Sequence, residues 1–339
     1  MSGWDLSEGI CNKINENISE NEFWQIINNV LSSKTNKTTS YKYAFFKALI
    51  DNIFNLNEYK ISYSVIFERF AEMYWNLVAK YHLSQIQATS RFSKSSVEII
   101  IENILLKYKL DGNVVFESLK EEVRKEIIRK ITNECSRYVV GAFFEDTEKS
   151  FYSFSRKKME IIFHKDIVSY IIKFKNILTK LNYFEWIKFL EKTNENNSVI
   201  ALAEKLDNST KRGNLSFYKE FLFKLYNKSE CFYCGKNLIG KKVEIDHFIP
   251  WSYLKDDKIW NLVISCRECN NSKRDKLPEK HFIEKLNSQN KNIKNCNTKS
   301  VENEFIGYDD EKIYRIYNSA IFNGFDEVWR PKGVKNDIQ

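Results

Sequence analysis

The sequence predicts a mainly α protein: a helical N-terminal domain over residues 1–198, then a smaller domain over residues 199–339 built around two strands and a helix. Three observations predict this. Apolar residues recur at helical spacing through the first 220 positions. None of the three prolines (Pro250, Pro278, Pro331) precedes residue 250, so nothing interrupts those helices. Two C-x2-C pairs, Cys231/Cys234 and Cys266/Cys269, bracket a pattern of strand, loop, strand and helix.

In chain order, residues 41–54 are apolar on more than one face and predict a buried helix. Phe67, Phe70, Ala71, Tyr74, Val78 and Tyr81 form one helical stripe. Ser95-x-x-Glu98 fits a capping box that opens another, carried by Val97, Ile100, Ile101, Ile104, Leu105 and Tyr108. A third comprises Phe116, Leu119, Val123, Ile127 and Ile131. At this spacing aromatic residues fill a core more often than they stack on bases. The polar stretches 32–40, 191–198 and 287–300 read as loops, the second of them as the domain boundary. Residues 282–286 predict a short helix. Residues 314–325 and Trp329 predict a final helix and an anchor packing back on the C-terminal domain.

Composition narrows the function classes. The chain has 339 residues, 43 % hydrophobic and 29 % charged, which are globular proportions. Its net charge is +8, and residues 221–280 hold twelve Lys or Arg against eight Asp or Glu, half of that excess. A clustered positive field attracts a phosphate backbone. Residues 161–178 come nearest to an apolar span, but His164, Lys165, Asp166, Lys173 and Lys175 interrupt them, so no membrane segment is expected. With no secretory leader expected either, the paired cysteines belong in a reducing cytoplasm, where such pairs bind metal.

The two cysteine pairs enclose 31 residues. Four thiolates in two knuckles place sulfur around Zn2+ at about 2.3 Å, a closed structural site. Such a zinc supplies about 10–16 kcal/mol to a unit too short to fold on a hydrophobic core alone. Residues 243–247 alternate as a strand that ends in Asp246-His247, and Pro250 stops it. A loop runs to Asn261, residues 262–265 form a second strand, and a short helix follows near Cys269-Asn270-Asn271. Asp256-Asp257 in that loop reads as a solvated turn. Trp251 and Tyr253 are explained equally by packing and by a nucleic-acid groove. His82, His164 and His281 are expected on the surface or satisfied in the core, and Cys11, Cys135 and Cys296 are expected to be small apolar fillers or exposed thiols.

Asp246-His247, Asn261 and Cys269-Asn270, with Lys273 following, resemble the HNH nucleases, whose ββα-metal fold has this element order. The spacing is similar, without a gap from Asp246 to Asn270, to the HNH domain of the RNA-guided CRISPR nuclease. It is closer still to free-standing bacterial HNH proteins with DHFIPW and NLV elements between cysteine pairs. The resemblance covers about 50 residues by its motifs. It implies a metal-dependent endonuclease with His247 as general base and Asp246 and Asn270 as ligands of one Mg2+ or Mn2+. Asn261 would fix the loop so as to aim His247, and Lys273, one helical turn from Asn270, would contact phosphate. Many such sites end in histidine; Asn270 in that place favours a hard cation over zinc. Asn271, its neighbour, is set aside because Asn270 follows Cys269 directly.

The implied substrate is DNA, with RNA as the alternative, in restriction or anti-phage defence, with a homodimer or a partner protein of a defence system as the expected assembly. A mobile-element or homing endonuclease is the second reading. A catalytically silent zinc module that only binds nucleic acid or protein is the third. Zinc ribbons, however, usually separate their pairs by about 15–20 residues, and a purely structural module needs no histidine after Asp246.

Overall fold

A computed structural model describes residues 5–32, 38–87, 92–195, 198–226, 230–296 and 299–332. The expected loops at 32–40, 191–198 and 287–300 fall partly outside these residues. The chain forms two compact units, residues 1–211 and 212–339. The division falls at 211/212 rather than 198/199, because Leu202 and Leu206 belong to the N-terminal core.

The first unit is mostly helical: α1 (Glu20–Leu31), α2 (Tyr41–Asp51), α3 (Tyr63–Trp75), α4 (Ser96–Tyr108), α5 (Glu121–Asp146), α6 (Lys165–Lys173), α7 (Lys175–Thr193) and α8 (Leu202–Asp207). Helix α2 is its centre. Every residue from Tyr43 to Asp51 is buried, as its apolarity on several faces predicts, and α3, α5 and α7 pack around it. The capping box at the start of α4 is present: Glu98 N donates to Ser95 Oγ at 3.3 Å, and Ser95 N to Glu98 Oε2 at 2.8 Å. The stripe beginning at Phe116 is split, since a single 3-10 turn (Phe116–Ser118) precedes the α-helix that starts at Glu121.

The unit also holds a four-stranded antiparallel sheet, ordered β1 (Glu8–Gly9), β3 (Tyr152–Ser155), β4 (Glu160–Phe163), β2 (Lys60–Ser62). The sequence reading has no counterpart for it. Its central hairpin pairs Tyr152 with Phe163 and Phe154 with Ile161, and no strand of the sheet exceeds four residues, too few for a period-2 signal to stand out among helices.

The second unit begins with α9 (Ser216–Tyr226), followed by the first cysteine pair. Strands β5 (Val243–His247) and β6 (Leu262–Cys266) pair antiparallel, with Asp246 opposite Val263 and His247 opposite Leu262. Between them lies α10 (Trp251–Leu254), a single turn, and after them comes α11 (Arg267–Lys273), packed on both strands. The two-stranded parallel pair β7 (Leu277–Pro278) and β8 (Val328–Trp329) returns the tail to α11, where Trp329 Nε1 donates to Ser272 Oγ at 3.1 Å. The expected order of strand, loop, strand and helix is present, and so are the final helix and its tryptophan anchor.

Helix α12 (Phe282–Asn295) corrects an expectation, because it continues through residues read as loop. Its buried face is Phe282, Ile283, Leu286, Asn290 and Ile293. Asn290 occupies a core position because its amide donates to Trp260 O and Tyr308 Oη, both at 2.8 Å. The unit is completed by α13 (Lys299–Glu302) and α14 (Lys312–Phe322).

Candidate active site

The four cysteines converge. Their sulfur atoms all lie within 4.8 Å of one another, and Cys234 Sγ is 3.9 Å from Cys266 Sγ. A tetrahedral zinc with bonds of about 2.3 Å spaces its sulfurs by about 3.8 Å, so the donor set fits that ion. Backbone amides point at the sulfurs: Cys266 N donates to Cys231 Sγ at 3.3 Å and Cys269 N to Cys266 Sγ at 3.4 Å. The Cys269 side chain first, and then the backbone amides of Cys234, Cys266 and Tyr233, hold the Cys231 thiol down at about 4 against its burial. The first knuckle turns at Gly235, whose φ of 68° is left-handed and strains any residue with a Cβ. Its amide closes the turn on Cys231 O at 3.0 Å.

This cluster fixes the end of β6 and the start of α11. Cys266 ends the strand and caps the helix. The helix then carries Asn270 and Lys273 toward the end of β5, where Asp246 and His247 lie side by side.

Asp246, His247 and Asn270 line one polar cleft of about 530 Å³, with Asn271, Arg212 and Arg274 on its walls. Asp246 meets both of its partners through Oδ2, a hydrogen bond from Tyr233 Oη at 2.5 Å and an ion pair with Lys273 Nζ at 3.0 Å, which leaves Oδ1 for another partner. Burial, and then the neighbouring carboxylate, push the Tyr233 hydroxyl far up, so it stays a donor. The Asn270 amide has no hydrogen-bond partner among the described residues. Asp246 and Asn270 thus offer two hard oxygen donors on one cleft, the set that suits Mg2+ with water completing its shell. Arg212, which lines the cleft with Arg274, lies over the Trp251 ring at 5.6 Å.

Asn261 is fully buried and grips the chain just beyond His247. Ile249 N donates to its Oδ1 at 2.8 Å, its Nδ2 donates to Ile249 O at 2.9 Å, and Phe248 N bonds to its carbonyl at 2.8 Å. Tyr253 faces away from the cleft and pairs with Ser319 at 2.6 Å. His164 is a satisfied core residue on Lys13 O and Glu16 O, and Cys11 and Cys135 are buried while Cys296 is exposed.

Two positions differ from the sequence reading. Lys273 is not placed to meet phosphate: it is fully buried, with its ammonium on Asp246 and on His247 O at 2.7 Å. A lysine one turn after Asn270 on a two-turn helix faces the hairpin, where burial is stabilised by the carboxylate. Asp257 is no solvated turn. Its Oδ1 lies 2.7 Å from His247 Nε2, and its Oδ2 accepts from Gly213 N at 2.5 Å. The chain returns because α10 ends in Lys255 with φ of 58°, a left-handed cap that reverses the loop over the strand end. The available signal was two acidic residues between that cap and Asn261.

Residues 231–279 match the family model described as HNH endonuclease, a span holding all four cysteines and every expected site residue. No curated protein and no solved structure matches the chain. The segment is therefore of the HNH nuclease type, and its cysteine cluster is compatible with the zinc-knuckle form. No helix of the described residues is long and apolar enough to cross a membrane.

Proposed function

We propose that this protein is a metal-dependent endonuclease that hydrolyses phosphodiester bonds in DNA, in the cytoplasm, as part of restriction or anti-phage defence. The observation that carries the reading is the convergence of Asp246, His247 and Asn270 on one polar cleft, beside arginines that suit a phosphate backbone. His247 takes a proton from the attacking water, a task suited to an imidazole near neutral pH. Asp246 and Asn270 hold the catalytic Mg2+ or Mn2+ through oxygen. Once bound, that cation supplies stabilisation of the charge on the phosphorus oxygens and the leaving 3′ oxygen. Asn261 keeps residues 248 and 249 fixed so that His247 stays aimed. Cys231, Cys234, Cys266 and Cys269 hold a structural zinc that takes no part in the chemistry.

One such site cuts one strand, so a double-strand break needs two protomers or two successive nicks. The helical unit, residues 1–211, recognises the target, a partner or a signal. The test is nicking of supercoiled plasmid by the purified full chain with Mg2+ or Mn2+, beside single-stranded DNA and RNA of the same sequence. His247→Ala is expected to abolish cleavage and retain DNA binding. Cleavage persisting in that variant removes the catalytic assignment, and binding without any cleavage by the natural chain leaves a nucleic-acid-binding zinc module.

A further inference from the structure

Resting on the reading of His247 as general base, we infer that Asp257 is the positioning residue that selects which ring nitrogen does the work. An imidazole carrying one hydrogen has one donor and one acceptor nitrogen, and the partner of the first decides the tautomer. Here Nε2 lies 2.7 Å from a carboxylate oxygen, which accepts, so Nε2 carries the hydrogen. The lone pair is then on Nδ1, which has no hydrogen-bond partner among the described residues. Nδ1 is therefore the atom that takes the proton from water, and Asp257 supports the positive charge that forms on the ring.

The carboxylate is itself held from two sides. Gly213 N–H donates to Oδ2, and the Asp257 amide donates to Asp256 Oδ1 at 2.9 Å. Gly213 approaches so closely that an added Cβ would stand 3.1 Å from Oδ2. Oδ2 accepts from a backbone donor that cannot rotate, and Oδ1 faces the imidazole.

This division of roles makes an unusual demand on substitutions. In Asp257→Asn the amide oxygen must stay on the Gly213 N–H, so the NH2 turns toward the ring. Nε2 must then accept, the hydrogen moves to Nδ1, and the base has no lone pair facing the water. In Asp257→Ala the ring is merely released, and both tautomers are populated. The near-isosteric change is thus expected to be worse than the truncation, the reverse of what a structural role predicts.

The experiment uses the full zinc-loaded chain. Long-range 15N–1H spectra of histidine-labelled protein, which has four histidines, are assigned by comparison with His247→Ala. The His247 ring is expected as the Nε2–H tautomer in the natural chain and as Nδ1–H in Asp257→Asn. Finding Nδ1–H in the natural chain overturns the inference, and this arm holds whether or not the protein cuts DNA. Single-turnover nicking with Mg2+ supplies the second arm. Asp257→Asn is expected to lower kcat by roughly 10²–10⁴-fold with KM little changed, and Asp257→Ala to lower it less. Equal or greater activity in Asp257→Asn than in Asp257→Ala overturns the inference. Failure of the natural chain to nick overturns the nuclease reading instead, and the tautomer then decides the present one.

Discussion

The ammonium of Lys273 lies 3.0 Å from Asp246 Oδ2, and neither side chain is more than 7 % exposed. Removing one member of a buried pair leaves the other charge uncompensated, which costs about 3–5 kcal/mol. Lys273→Met is therefore expected to lower the urea midpoint of the transition of residues 212–339, and Lys273→Met with Asp246→Asn to regain part of the loss. An unchanged midpoint in the single variant would show that the pair contributes nothing to the fold.

Asn261 satisfies both backbone groups of Ile249 and has no solvent exposure. Asn261→Ala leaves a buried amide and carbonyl without partners, at about 2–4 kcal/mol. Because those groups lie two residues after His247, hydrogen exchange at 248 and 249 should accelerate and the nicking rate should fall. A slowed nicking rate with unchanged exchange would mean that the residue acts on the reaction by another route.

Zinc is expected at one ion per chain by elemental analysis. A chelator, or Cys231→Ser, should strip it and expose the amides of β5, β6 and α11 to exchange, while the amides of α2 stay protected. Metal content well below one in freshly purified protein, with those strands still protected, would mean that the sulfur cluster folds without an ion.

Burial holds the Lys312 ammonium down at about 8, below its usual 10.5. Below about pH 8 both folded and unfolded chains carry this proton and the penalty is constant. Between about 8 and 10.5 the folded chain has released it and the unfolded chain has not, so this group makes stability rise with pH through that window. Other groups titrate there too, so the measurement is a difference. Urea unfolding at pH 7.5 and pH 10 should show Lys312→Met losing stability relative to the natural chain as pH rises. Parallel behaviour of the two proteins would show that the group titrates normally in the fold.

Local patterns were legible in the sequence and returning loops were not. Ser95 and Glu98 announce their helix because a capping box is a four-residue relationship. The apolar faces of α2 are visible because burial all round leaves no polar stripe. Residues 243–247 and the strand that follows Asn261 read correctly because β-branched residues run between a proline and a cysteine pair. Asp257 has no local signature, because its partner is ten residues away across a reversal that depends on the left-handed Lys255. Tyr233 is silent in the sequence for a similar reason, since nothing in the spacing C-x2-C says that the intervening tyrosine reaches Asp246. Asn290 looked like loop because a polar residue in the core is recognisable only when the carbonyl it serves is known.

Cys266 ends a strand, offers sulfur to the cluster and accepts the Cys269 amide at the first turn of α11. A thiolate has lone pairs enough for a metal and a backbone donor together, whereas each imidazole nitrogen has one. Exchanging cysteine for histidine, a common way to vary zinc sites, is therefore open at Cys234, which caps no helix, and closed at Cys266. An engineer who treats the four cysteines as equivalent would leave a donor set fit for a metal and lose the seven-residue helix that carries Asn270.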